Sequence, residues 1–169
     1  MPPQPPSDGP LLTFDGGARH HGGGVVLPPD GAPAVGAGAS LWTTPDAAGH
    51  RRCIMQLPSG LPLLRVSFCG EAAGLAFGLR GVLAACPAHL WLNVMGDNLP
   101  IVRLGAATGT IRTDGVWAAL EDPLMDLCYR RWLVAWAAVR REHNLAADDL
   151  ATAGVLTALR LRERGDRRA

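Results

Sequence analysis

Apolar residues follow two patterns along this chain. Short apolar runs bounded by Gly, Pro, Asn and Asp alternate with longer stretches in which apolar residues recur every three or four positions. The first pattern marks strands and the second marks helices with one face on a core. Leu11-Leu12-Thr13-Phe14 reads as a first strand, stopped by the turn signal Asp15-Gly16-Gly17. Val35–Thr43 and Arg51–Leu57 read as the second and third strands, with Pro45, Asp46 and Gly49 supplying a hairpin turn between them. Over 71–86, Ala72, Leu75, Ala76, Leu79, Val82, Leu83 and Cys86 form one apolar stripe, so a helix is predicted there, ended by Pro87. His89–Met95 reads as a fourth strand closed by Gly96-Asp97-Asn98. A shorter helix is expected from near Asp97 to Gly105, and another over roughly 115–131. Leu133–Val139 reads as a buried fifth strand, and a last helix should run from about Asn144 to Arg162. The Gly- and Pro-rich segment 18–34 reads as loop, with a short extended piece at Val25–Leu27, and residues 58–69 fit a strand or the approach to a helix.

The order β-β-β-α-β-α-α-β-α implies an α/β fold: a five-stranded mixed sheet flanked by helices on both faces. At 169 residues the chain fits one domain. Residues 1–10 read as a disordered Pro-rich lead-in, 11–162 as the domain and 163–169 as an Arg-rich tail. Composition adds little to this picture. The apolar share of 48% is ordinary for a globular protein. No run approaches the ~18 uninterrupted apolar residues of a membrane span, and MPPQPPSDGP has no signal-peptide core. An intracellular protein, cytoplasmic or nuclear/nucleoid, with no membrane partner is therefore expected. Cys53, Cys69, Cys86 and Cys128 lack zinc-site spacing and read as buried free thiols, with Cys86 and Cys128 inside apolar stretches. Net charge is +1, which by itself does not mark a nucleic-acid binder. All sixteen basic residues are arginine, a bias that fits a GC-rich genome.

The carboxylates change the picture. Asp15 closes the first predicted strand and Asp97 the fourth, and sites in open α/β sheets form beyond the carboxyl ends of strands. Glu71 opens the first predicted helix, and Asp148 lies in or near the first turn of the last. Four converging carboxylates repel one another unless they share a cation. Hard oxygen ligands suit magnesium or manganese. Each acid alone has a plainer reading: a turn residue at Asp15, a helix N-cap at Asp97, first-turn decoration at Glu71 and Asp148.

The segments around these acids resemble one family. Thr13-Phe14-Asp15-Gly16-Gly17-Ala18-Arg19 resembles the F-D-G-G-S/A-R opening of type 1 ribonucleases H, and Val35-Gly36-Ala37-Gly38-Ala39 its A-G-A-G second strand. Glu71-Ala72-Ala73-Gly74-Leu75-Ala76 is similar to its A-E-x-x-A-L helix start, and Gly96-Asp97-Asn98 with Ile101-Val102 to G-D-S-x-x-V-I. The stretch from Val139 to Ala151 resembles V-P-R-E-x-N-x-x-A-D-x-L-A, which sets Asp148, and not Asp149, on the family's fourth acid. The resemblance spans residues 11–154. It implies a ribonuclease H-like fold and an endonuclease that hydrolyses the RNA strand of RNA–DNA hybrids, leaving 5′-phosphate and 3′-hydroxyl ends. It implies Asp15, Glu71, Asp97 and Asp148 as catalytic and metal-binding residues, with two Mg2+ ions as cofactor and Mn2+ as a substitute. Asp15 would bridge the ions, Glu71 and Asp97 would hold one side and Asp148 the other. The partner implied is an RNA–DNA hybrid, bound by a monomer.

Substrate contacts carry over to Gly16, Gly17, Ser67, Asn98, His143 and Asn144. Sensing of 2′-hydroxyls would separate RNA from DNA. The chain also departs from the pattern. Arg19-His20-His21 stands where an asparagine is usual, Ser67-Phe68-Cys69-Gly70 replaces a polar pair, and Leu99 takes a position that is often polar. These changes bear on hybrid affinity more than on metal binding, and they support an alternative reading as a catalytically weak or inactive nucleic-acid-binding or assembly module. Proofreading exonucleases of the same fold carry D-x-E on the first strand, and integrases carry a late-helix glutamate; neither fits Asp15-Gly16-Gly17 with Glu71. Arg130-Arg131 and Arg140-Arg141 bracket the fifth strand as a solvated face or as phosphate contacts.

Overall fold

The computed structural model describes residues 9–19, 34–44, 47–55, 63–86, 91–106 and 118–166. Its elements run β1 (Leu11–Arg19), β2 (Ala34–Thr44), β3 (Ala47–Met55), α1 (Leu63–Ala85), β4 (Trp91–Gly96), α2 (Leu99–Ala106), α3 (Ala118–Tyr129), β5 (Leu133–Ala138), a single 3-10 turn (Arg141–His143) and α4 (Leu145–Asp166). The strands form one sheet in the order β3-β2-β1-β4-β5. β1–β2 and β2–β3 are antiparallel, whereas β1–β4 and β4–β5 are parallel, so the sheet is mixed.

The glycines of β1 and β2 show where the helices lie. A Cβ on Gly16 would strike the backbone of Gly70 and Glu71 in α1, while one on Gly17 would meet Val155 of α4. Neighbouring strand residues point to opposite faces, so α1 and α4 cover opposite sides of the sheet. The main core lies on the α1 side, where Leu12, Phe14, Leu75, Leu79, Val82, Leu92, Val94 and Ile101 are nearly or fully excluded from water. The α4 side holds a smaller cluster around Val155 and Ala158.

Several boundaries differ from the sequence expectation. β1 does not stop at a turn after Phe14. Asp15, Gly16 and Gly17 continue it, paired with Gly38, Ala37 and Gly36 of β2, because the antiparallel partner takes up the backbone groups that a turn would otherwise bond. Between β2 and β3, Gly49 belongs to the strand and not to the turn, since it lies within β3 opposite Leu41, and Pro45 and Asp46 lie outside the described residues. α1 begins at Leu63, eight residues before the expected start, so the ambiguous Leu-rich stretch is helical from there. Pro10 belongs to the fold and not to a loose lead-in, since it is buried and its carbonyl accepts from Asn93 N–H at 2.9 Å. α4 continues to Asp166, past the expected start of the tail.

β5 is half-buried at most along its length, because it is an edge strand rather than a central one. Cys128 is exposed, against the expectation of burial, while Cys69 and Cys86 are buried. The stretch Ser67–Ala85 is long and apolar enough by composition to cross a membrane. In this fold its apolar stripe faces the sheet, and Leu75, Leu79 and Val82 are fully buried. The extended piece expected at Val25–Leu27, the His20-His21 pair and the Trp117 side chain lie outside the described residues.

Candidate active site

The fold brings carboxylates together at one end of the sheet. The parallel pairing of β1 with β4 ends at Thr13–Met95, and β1 runs on with β2 while β4 ends at Gly96, just before Asp97. Asp15 therefore sits one residue beyond Phe14 on the continuing strand, and Asp97 sits just past its neighbour's end. α1 delivers Glu71 to the same place, because its backbone lies directly on that of β1. A Cβ on Gly16 would fall 2.0 Å from Glu71 N, and one on Gly74 would fall 2.3 Å from the Asp15 carbonyl oxygen. Only residues without a side chain permit that approach.

One carboxylate oxygen from each of Asp15, Glu71 and Asp97 lies within 4.8 Å of the other two. Asp15 and Glu71 are 4% and 8% exposed. Burial, opposed in part by Glu71's hydrogen bond and reinforced by the charge of Asp97, raises the Asp15 carboxyl to about 7. Burial, followed by the charge of Asp15, pushes Glu71 up to about 10. In the absence of a cation the two carboxyls therefore share a proton at neutral pH. Glu71 Oε2 is buried without a hydrogen-bond partner. An unpartnered, desolvated carboxylate oxygen facing two further acids fits a hard divalent cation, and an all-oxygen donor set favours magnesium or manganese.

Asp148 adjoins Asp15. It lies outside the three-acid set but within hydrogen-bonding reach of Asp15. Its Oδ1 accepts from Arg141 Nη2 at 2.5 Å. All four acids line one cavity of about 310 Å³, together with Gly16, Gly17, Ser67, Arg141 and Thr152.

The residues expected to contact substrate divide into two groups. Gly16, Gly17 and Ser67 line the cavity. Asn98, His143 and Asn144 are not among its lining residues. The Asn98 carboxamide oxygen caps α2 by accepting from Ile101 N–H at 3.3 Å, so the cap is Asn98 and not Asp97. Its side chain also hydrogen-bonds Glu71 and opposes the rise in that residue's pKa. His143 is exposed on the 3-10 turn. Asn144 is 1% exposed and does internal work: its Nδ2 donates to the Phe14 carbonyl at 2.9 Å and, more weakly, to Asp97 Oδ1 at 3.4 Å. Its own carbonyl accepts from Asp148 N–H at 3.0 Å in the first turn of α4. Through its side chain and its backbone carbonyl, this one residue ties together β1, the Asp97 turn and the helix that bears Asp148.

Two polar cavity residues stand outside the expected site residues, although the sequence reading has Arg141 as solvated or as a phosphate contact. Thr152 lies one helical turn after Asp148, a spacing that places both on one face of α4 and could have identified it. Arg141 reaches Asp148 across the junction between the 3-10 turn and α4, for which no periodicity gives a signal.

By sequence, neither a family model nor a characterised protein matches the chain. By backbone, it is similar to the N-terminal RNase H domain of a Mycobacterium tuberculosis protein, solved as a maltose-binding-protein fusion, with a TM-score of 0.68 and 18% identity over 92% of this chain and 99% of that one. An RNase H1 termed LC11, solved with an RNA/DNA hybrid, gives a TM-score of 0.67 and 15% identity over 89% and 99%; it was isolated from compost by a metagenomic approach. The protease-reverse transcriptase of prototype foamy virus gives 0.59 and 15%, covering 90% of this chain and 21% of that one. These three structures are 15–18% identical to this chain, and the likenesses agree on one architecture: the chain has the ribonuclease H fold.

Proposed function

We propose that this protein is a metal-dependent endonuclease that hydrolyses the RNA strand of RNA–DNA hybrids. The observation that carries the reading is the set of buried Asp15 and Glu71 with half-buried Asp97, their ligand oxygens within 4.8 Å of one another. The ribonuclease H fold and a neighbour solved with an RNA/DNA hybrid support it. A chain has no structural reason to hold three acids together, two of them desolvated, since removing one would relieve repulsion and stabilise the fold.

Asp15, Glu71 and Asp97 would hold one Mg2+, and Asp15 with Asp148 would hold the second, with Mn2+ as a substitute. Bound divalent ions of this kind lower the pKa of a water and stabilise charge on a departing oxygen. The chain's own residues do the rest. Asp15 is central, adjoining both Glu71 and Asp148. Asn144 fixes the Asp97 carboxylate and the start of α4. Gly16 and Gly17 offer close backbone approach for the sugar–phosphate chain, and the Ser67 hydroxyl stands in the same cavity to meet a 2′-hydroxyl. In the reaction, the water oxygen bonds to phosphorus and the bond to the 3′ oxygen breaks, which gives 5′-phosphate and 3′-hydroxyl products.

The test is incubation with end-labelled hybrid in Mg2+, beside double-stranded RNA and DNA. Cleavage confined to the RNA strand of the hybrid is expected, abolished by EDTA and by Asp97→Asn. Cleavage undiminished in Asp97→Asn, or no hybrid cleavage by folded protein in Mg2+ or Mn2+, overturns the proposal.

A further inference from the structure

We propose that Arg141 and Asp148 form a latch, in which the guanidinium withholds Asp148 from a divalent cation until a phosphodiester draws it away. The inference rests on the metal-dependent reading above and concerns how its second cation position is controlled.

The two residues are linked by a charge-assisted hydrogen bond from Arg141 Nη2 to Asp148 Oδ1, a class of bond roughly twice as strong as one between neutral groups. Their surroundings are unequal. The Asp148 side chain is 21% exposed, whereas that of Arg141 is 70% exposed. The carboxylate is therefore sheltered at the cavity wall, while the guanidinium is free to swing into solvent. Arg141 is carried on a single 3-10 turn between β5 and α4, and Arg140, at the start of that turn, makes no side-chain cap bond. Because most of the Arg141 side chain is already in solvent, its rotation gives up mainly the bond to Asp148.

Arg141 is also the one basic side chain lining the cavity among the described residues, against four carboxylates. A guanidinium beside Asp148 occupies the place of a cation there and repels a second positive charge. The compact three-acid set does not include Asp148, so the position formed by Asp15, Glu71 and Asp97 is open to an ion while the one at Asp148 is held. A phosphodiester entering the cavity presents two oxygens that match the guanidinium fork. It competes with Asp148 for the same donors, and moving Arg141 onto it frees the carboxylate and lowers the repulsion between substrate and acids. Binding of the second ion is thereby coupled to arrival of the substrate backbone.

Calorimetric titration of Mn2+ into the full chain without nucleic acid tests the latch. The wild-type protein should take one ion readily and a second more weakly. In Arg141→Gln the second ion should bind about fivefold more tightly, the order expected for losing a partly exposed charge pair. Arg141→Lys keeps the positive charge and should retain most of the weak second binding. Matching melting curves for the metal-free proteins establish that the substitutions leave the fold intact. Equal affinities and stoichiometry in the wild type and Arg141→Gln overturn the latch and leave the metal centre standing. Absence of any binding in all three proteins overturns the metal-dependent function, and the latch with it.

Discussion

Replacing Gly74 by alanine should disturb the acid cluster from behind without touching any acid. The new Cβ would lie 2.3 Å from the Asp15 carbonyl oxygen and 3.1 Å from that of Gly38, and ordinary contact begins at 3.4 Å. Both obstacles are backbone atoms of paired strands, so α1 must retreat by about 1 Å, an overpacking cost of roughly 1–3 kcal/mol. Alanine's better helix propensity offsets up to about 1 kcal/mol of this. The net loss of roughly 1–2 kcal/mol lowers Tm by about 2–8 °C in a domain of this size. Cleavage should fall further than stability does. Glu71 rides on the same helix three residues earlier, and misplacement of about 1 Å at a reacting centre can cost about 100-fold in rate. The assays are a thermal melt and single-turnover cleavage of an RNA–DNA hybrid, with Gly17→Ala as the comparison for stability. At Gly17 the added Cβ meets only Val155 Cγ2 at 3.4 Å, so Tm should hold. If Gly74→Ala keeps both wild-type Tm and wild-type cleavage, the bare-backbone approach of α1 is not what sets the cluster.

Two further outcomes follow from the same site. The metal-free protein should lose stability as pH rises: the unfolded carboxyls titrate near 4, while folded Asp15 and Glu71 titrate at about 7 and about 10. The native state then binds more protons than the unfolded chain between those values, and this contribution, complete below about pH 4, is lost as pH climbs through 7 towards 10. Melts in EDTA at pH 5, 7 and 9 should show falling Tm, with a smaller fall in Glu71→Gln; a rising Tm in the wild type would contradict the assigned burial. Asn144→Ala should cost about 1–3 kcal/mol, because the buried Phe14 carbonyl loses its donor. Urea denaturation measures that loss, and an unchanged midpoint would mean that Asn144 ties nothing together.

Much of the site can be read from the chain because each acid sits beside a local signal. Asp15 precedes two glycines, Asp97 follows a strand of alternating burial, and Asp148 lies in the first turn of a helix. Element type follows from periodicity, which is a property of neighbouring residues. Boundaries are less legible where a distant partner decides them. Asp15-Gly16-Gly17 has turn chemistry, yet it remains strand because β2 pairs with it, and no local pattern contains that partner. The apolar sequence of β5 suits a buried strand, but its edge position is fixed by the sheet order alone.

Side-chain roles divide in the same way. The sequence by itself determined which residues are candidates for the proposed chemistry and that they stand at strands and helices. Tertiary structure decided that Asn144 faces inward as a brace between β1 and Asp97, and that Arg141 faces the cavity and holds Asp148. Hydrogen bonds between residues 130 or 47 positions apart depend on where the strands and helices finally pack, and local spacing carries no record of that.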